Sequence, residues 1–120
     1  MNRPLSRQAA EHRGRWAETL ACCYLRLKGW RILARRARVR GGEVDVVARR
    51  GKVVAFIEVK ARATEASAAA SLDRYRLRRV AAAAQQLAPR YSRPGDDIRI
   101  DAVFLVPGRL PRHLQDVWQG

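Results

Sequence analysis

The chain has 120 residues, 48% of them apolar, and a formal net charge of +14. That is enough for one domain with a real hydrophobic core, so residues 1–120 are expected to fold as a single unit with its core between about 6 and 118; wholesale disorder is excluded. A charge of this size and sign favours a polyanionic partner. Of the 25 basic residues 22 are Arg, and only Lys28, Lys52 and Lys60 are Lys. The planar Arg fork suits phosphate, although heavy use of Ala allows codon bias as an equal explanation of that ratio.

The opening "MNRPLSRQAAEHRGR" has no apolar stretch, and no run approaches the ~20 apolar residues of a membrane span, so a soluble cytoplasmic protein without membrane attachment is expected. From about residue 6 to Lys28, Ala9, Trp16, Leu20, Tyr24 and Leu27 recur at helical spacing, and Gly29 closes the pattern. The three tryptophans, Trp16, Trp30 and Trp118, read as core or edge packing rather than base-stacking platforms. The adjacent Cys22 and Cys23 point about 100° apart on a helix, which suits neither a bridge nor a metal site, and they read as small core fillers.

"WRILARRARV" at 30–39 reads as a short strand, with Arg36, Arg38 and Arg40 on one face. Such a row is either a solvated edge that resists aggregation or a phosphate contact. "GEVDVVARRGKVVAFIEVKAR" at 42–62 reads as a β-hairpin turning at "RRGK". A loop is expected through 63–71, then a second helix capped by Ser71 or Asp73. Its stripe is Leu77, Val80, Ala81, Ala84, Leu87 and Ala88, and Pro89 is expected to end it. "DIRIDAVFLV" at 97–106 is a strand stopped by Pro107-Gly108, apolar on both faces towards its end, which implies layers above and below the sheet. Arg99 and Asp101 share a face of that strand and form an internal ion pair or approach the site. The tail can dock Leu114, Val117 and Trp118. The predicted order is α-β-β-β-α-β, an α/β fold.

The hairpin carries the chemistry. If it turns about Arg50-Gly51, Glu43 pairs with Glu58 and Asp45 with Phe56; a slip of two pairs Asp45 with Glu58 instead. Either register leaves Glu43, Asp45, Glu58 and Lys60 on one face. Like charges opposed in a sheet cost stability, and burying carboxylates costs several kcal/mol per ion. One lysine cannot neutralise three acids, whereas a divalent cation can. Hard oxygen ligands on two strands suit Mg²⁺ or Mn²⁺, which recruit phosphate oxygens and acidify a bound water; Lys60 can orient that water. An isolated Glu-x-Lys on a strand is usually a surface ion pair worth under about 1 kcal/mol. Here an apolar strand, a partner strand bearing Glu-x-Asp, and basic surroundings tip the balance towards a phosphodiester-cleaving site. His12 and His113 are isolated and lack zinc spacing, which points to structural or surface roles.

These residues resemble a family. "GEVDVVAR…GKVVAFIEVKAR" is similar to the PD-(D/E)xK signature of metal-dependent nucleases with a restriction-endonuclease-like fold: an Asp, then Asp/Glu-x-Lys on the next strand. More closely, the chain resembles the small YraN-like bacterial proteins, an endonuclease-related family. "GRWAETLACCYLRLKGWRILARRAR" and "RIDAVFLV" extend the likeness over roughly residues 11–118. The resemblance implies a three-layer α/β/α fold around a central mixed sheet and nuclease activity on DNA, with branched, repair or recombination intermediates as candidate substrates. By it, Asp45 and Glu58 are metal ligands and Lys60 the catalytic lysine. Glu18 is a further acid from the first helix, as in archaeal Holliday-junction resolvases; by periodicity alone it lies off the Leu20 stripe and reads as solvated. Glu43 stands as an outer neighbour or alternate ligand. Arg36, Arg38, Arg40, Arg62 and Arg76 are the expected nucleic-acid contacts. Val44 and Ala17 depart from the common Pro and Gly without touching the acids, and Arg76 replaces a usual lysine, keeping charge but changing geometry. A resolvase-like function would favour a homodimer. The alternative is a basic module that binds nucleic acid without cutting it.

Overall fold

The structure, a computed structural model, describes residues 3–119, with side chains from Gly14 onward, so Ala9 and His12 lie outside the described side chains. The elements run α1 (Arg3–Leu27), β1 (Arg31–Val39), β2 (Gly42–Arg50), β3 (Val53–Ala61), α2 (Glu65–Ser71), α3 (Arg74–Tyr91), β4 (Asp97–Leu105) and β5 (Arg112–Leu114). They form an α/β fold: one five-stranded mixed sheet in the order β1-β2-β3-β4-β5, with helices on both faces. β3 and β4 pair in parallel, and the other neighbours are antiparallel. This agrees with the three-layer architecture and the predicted order, plus two elements. One is α2 in the expected loop, capped by Thr64, whose hydroxyl accepts from the Ser67 N–H at 3.1 Å. The other is β5 in the tail.

On one face Ala21, Cys22 and Leu25 of α1 pack on Val46, Ala48, Ala55, Ile57 and Val103. On the other, Leu77, Val80, Ala83, Ala84 and Leu87 of α3 pack on Val47, Val54 and Phe56. α2 adds Ala68 against Ala102 and Phe104, and Val117 and Trp118 of the tail dock beside α3. Among the described residues, no helix is long and apolar enough to cross a membrane.

Several expectations are corrected. α1 turns a different face inward: Trp16, Leu20 and Leu27 are exposed, and Ala17, Glu18, Ala21, Cys22 and Leu25 are buried. Small residues at 17, 21 and 22 let the helix lie close to the sheet, which the bulkier stripe would prevent. Cys22 is core, but Cys23 is exposed. The first helix does close at Gly29, which takes φ 90°. Pro89 does not end α3, which runs to Tyr91 with Ser92 N–H donating to the Ala88 carbonyl; its N-cap is Asp73, not Ser71. Arg36, Arg38 and Arg40 are not one strand row either, because Arg36 has φ 51° and Arg40 lies in the turn beyond β1.

Candidate active site

The β2–β3 hairpin turns through Gly51 and Lys52, so Arg50 pairs with Val53 and Val46 with Ile57. This is the slipped register, and its next step sets Asp45 opposite Glu58. The ladder stops there. Instead of a strand carbonyl, the Asp45 Oδ2 accepts the Val59 N–H at 2.8 Å, so the carboxylate sits in the seam between two diverging strands. Glu58 and Lys60, two residues apart on β3, are each only 5% exposed.

Asp45 is poorly placed to carry a charge. Burial pushes the Asp45 carboxyl up to about 8; the Glu58 carboxyl beside it adds to the push, while the Val59 N–H and Lys60 pull the other way. Burial likewise lowers the Lys60 ammonium from its ordinary value, against the attraction of Glu58. Glu18 reaches the same region from α1. Burial raises its carboxyl, Arg36 opposes that by donating through Nε to both oxygens at 2.9 and 3.1 Å, and Asp45 adds repulsion. Glu58 has its own counter-charge, Arg76 Nε at 3.2 Å from Oε2.

Two adjoining hollows expose this cluster. The smaller, about 210 Å³, is lined by Glu43, Asp45, Glu58, Arg76 and Arg79 on the α3 side. The larger is a groove of about 1070 Å³ in which Glu18, Asp45, Glu58 and Lys60 meet Arg62, Arg76 and Arg109. Asp45, Glu58, Lys60 and Glu18 therefore line one groove at one end of the sheet. Glu43 is drawn aside by Arg38, whose Nε donates to it at 2.9 Å, and it lines only the smaller hollow. Of the predicted arginines, Arg62 and Arg76 line the groove, Arg36 and Arg38 are engaged with Glu18 and Glu43, and Arg40 stands apart. Sequence reasoning missed Trp16, Arg79 and Arg109. The signal for Trp16 was the second, small-residue face of α1, which competes with the bulky stripe for the sheet.

Asp45 and Glu58 supply what a hard divalent cation selects: carboxylate oxygens, from adjacent strands, of which Asp45 has no guanidinium partner among the described residues. Among the described residues no three acidic, His or Cys side chains are already gathered as a ligand set, because Glu18 is turned to Arg36. Glu18 could join only by exchanging that guanidinium.

The other buried acid lies away from this groove. Asp101 accepts from Arg99 at 3.1 and 2.8 Å and from the Asp116 N–H at 2.9 Å, and His113 Nε2 lies 2.8 Å away. The internal ion pair is thus formed, and His113 has a structural place in it.

The profile of the Uncharacterised protein family UPF0102 matches residues 17–105, which spans α1 from Ala17, every site acid and β4. A UPF0102 protein of Sphingopyxis alaskensis is 63% identical over 115 residues, covering 96% of this chain and 99% of the relative. One from Rhizorhabdus wittichii is 52% identical over 120 residues, covering 100% and 99%. Another, from Erythrobacter litoralis, is 51% identical over 115 residues, covering 96% and 99%. With a profile matched over most of its length and relatives this similar from end to end, the chain belongs to the UPF0102 family.

Proposed function

We propose that this protein is a Mg²⁺- or Mn²⁺-dependent nuclease that hydrolyses phosphodiester bonds of DNA. The observation that carries the reading is the opposition of Asp45 and Glu58 at the point where β2 and β3 diverge, with Lys60 beside them on the floor of an arginine-lined groove. Asp45 and Glu58 would hold the cation, and Glu18 would add a third carboxylate. The bound ion would supply Lewis-acid stabilisation of the phosphorane charge and a more acidic water.

The chain's own residues do the rest. Lys60 Nζ, its pKa lowered by burial, is suited to orient the attacking water and pass a proton near the developing charge. Arg76 meets Glu58 through Nε while remaining half-exposed to the groove, where it can also meet a phosphate. Arg62 and Arg109 lie further along the same groove and suit the flanking backbone. Branched, repair or recombination intermediates are the substrates that the resolvase resemblance suggests.

A second reading has an observation of its own. Glu18 and Glu58 are already paired with Arg36 and Arg76, so the acids can serve a non-cutting module that grips nucleic acid. The two readings separate in one experiment. Mn²⁺ is titrated calorimetrically into wild type and into Asp45→Ala/Glu58→Ala, and cleavage of branched and linear DNA is assayed beside Lys60→Ala. The nuclease reading expects metal binding lost in Asp45→Ala/Glu58→Ala, and cleavage abolished by Lys60→Ala with metal binding kept. Salt-steep DNA binding that ignores Mn²⁺ and Glu58→Ala would replace it with the binding module.

A further inference from the structure

The exposed face of α1 contributes a side chain that the proposed chemistry does not use. Trp16 is 62% exposed, a large indole on the surface, and it lines the same groove as Glu18, Asp45, Glu58 and Lys60. Leu20, one turn along the helix and 40% exposed, extends the apolar wall. Arg62, Arg76 and Arg109 line this groove too, so one cleft offers an aromatic face, cationic forks and the acid cluster.

That combination matches one ligand chemistry better than others. A flat indole in the same groove as guanidinium groups suits a base stacked on the ring with its phosphates held by the arginines. Inside a duplex each base is already covered by its neighbours, so only an unpaired base has a free face to offer. A second copy of this chain fits poorly, since each would bring a formal charge of +14 to a groove already lined with arginines.

We infer that Trp16 is a stacking platform for an unpaired base, and that the groove therefore selects single-stranded or splayed DNA over intact duplex. This rests on the nuclease reading for its choice of DNA but not on cleavage.

The test is equilibrium binding in EDTA, read by fluorescence anisotropy of a short labelled oligodeoxythymidine and of a blunt-ended duplex, with wild type, Trp16→Phe and Trp16→Ala. Since Trp16 is exposed, both variants should fold, which circular dichroism verifies. The expected result is tighter binding of the single strand by wild type, a loss of about tenfold in Trp16→Ala, largely retained binding in Trp16→Phe, and duplex affinity unchanged. Equal losses on both probes, or none on either, overturn the inference. So does a fall in molar mass by light scattering in Trp16→Ala without loss of single-strand affinity, which would make this face a self-association surface. The parent reading fails separately: metal-dependent cleavage by wild type can persist with Trp16 irrelevant, whereas a chain that never cuts can still show the stacking signature.

Discussion

Two clusters of buried charge sit on the same sheet and resolve in opposite ways. Around Asp101, fully buried on β4, donors outnumber acceptors. Burial alone would raise its pKa, but His113, Arg99 and the Asp116 amide outweigh burial and hold it below the ordinary value. Arg99 is covered in turn by the ring of Trp30 at 5.6 Å. Around Asp45 burial is not offset: it pushes the pKa up to about 8, and the Glu58 carboxyl beside it adds to the push. A structural acid is surrounded by what it needs. At the β2–β3 seam Glu18 and Glu58 have arginine partners but Asp45 has none among the described residues, and that local shortage of positive charge is what makes the seam a candidate site rather than a stabilising one.

The largest effect should come from breaking the satisfied cluster. Asp101→Asn removes the anion from beneath Arg99 and His113, leaving a desolvated guanidinium without its counter-charge. The expected cost is about 3 kcal/mol in urea unfolding, with an unchanged slope. A cost under about 1 kcal/mol would mean that the two clusters do not differ as described.

Next comes the cation. At a concentration about a hundredfold above its dissociation constant, Mn²⁺ should stabilise the wild type by about 2.7 kcal/mol, seen as a higher melting temperature. Asp45→Asn/Glu58→Gln should show no such shift, and Asp101→Asn should keep it. A shift of equal size in the double variant would place the cation elsewhere.

The layers, the hairpin and the shared position of its candidate acids and lysine were legible in the sequence, because period-two alternation and Glu-x-Lys on an apolar strand are local signals. Three things were not. The register of the hairpin depends on whether Gly51-Lys52 or Arg50-Gly51 makes the turn, and the apolar pattern is the same under both. The face of α1 depends on how close the helix can come to the sheet, which favours Ala17, Ala21 and Cys22 over larger Trp16 and Leu20. From spacing alone Glu18 therefore read as solvated, although it is buried; only the family resemblance placed it at the site. The role of Asp101 depended on donors from β5 and residue 116, distant in sequence and gathered only by the fold.

The third prediction concerns pH. An acid with a pKa of 3.8 unfolded and about 8 folded keeps its proton in the folded state across that window. The folded state then binds more protons, so its stability falls as pH rises from about 4 and the loss is complete above about 8. Asp45→Asn cannot lose that proton. In EDTA at pH 8 it should be more stable than wild type by about 1 kcal/mol, with a flatter dependence between pH 5 and 8, the figure being discounted for the solvent that reaches a half-buried group. A wild type whose melting temperature is flat across this range would remove the charge deficit from the comparison. Asp101 works in the reverse sense: its lowered carboxyl contributes stability that is present above its unfolded pKa and is lost as pH falls through the folded one.

The smallest effect distinguishes the two counter-ions of the clusters. Arg99 is largely covered, whereas Arg76 is half-exposed and touches Glu58 where it lines the groove. Arg76→Gln should therefore cost under about 1 kcal/mol of stability. Its informative consequence is on the cation. Removing a guanidinium 3.2 Å from Glu58 leaves Lys60 as its remaining counter-charge, so Mn²⁺ should bind a few-fold more tightly by calorimetry. DNA affinity at low salt should fall by a similar factor, because the same arginine faces the groove. The two changes have opposite signs, and one residue produces both only if it stands between a metal ligand and a phosphate. Weaker Mn²⁺ binding in Arg76→Gln would mean that Arg76 positions Glu58 for the cation rather than competing with it, and the charge deficit at the seam would then be smaller than the Asp45 carboxyl implies.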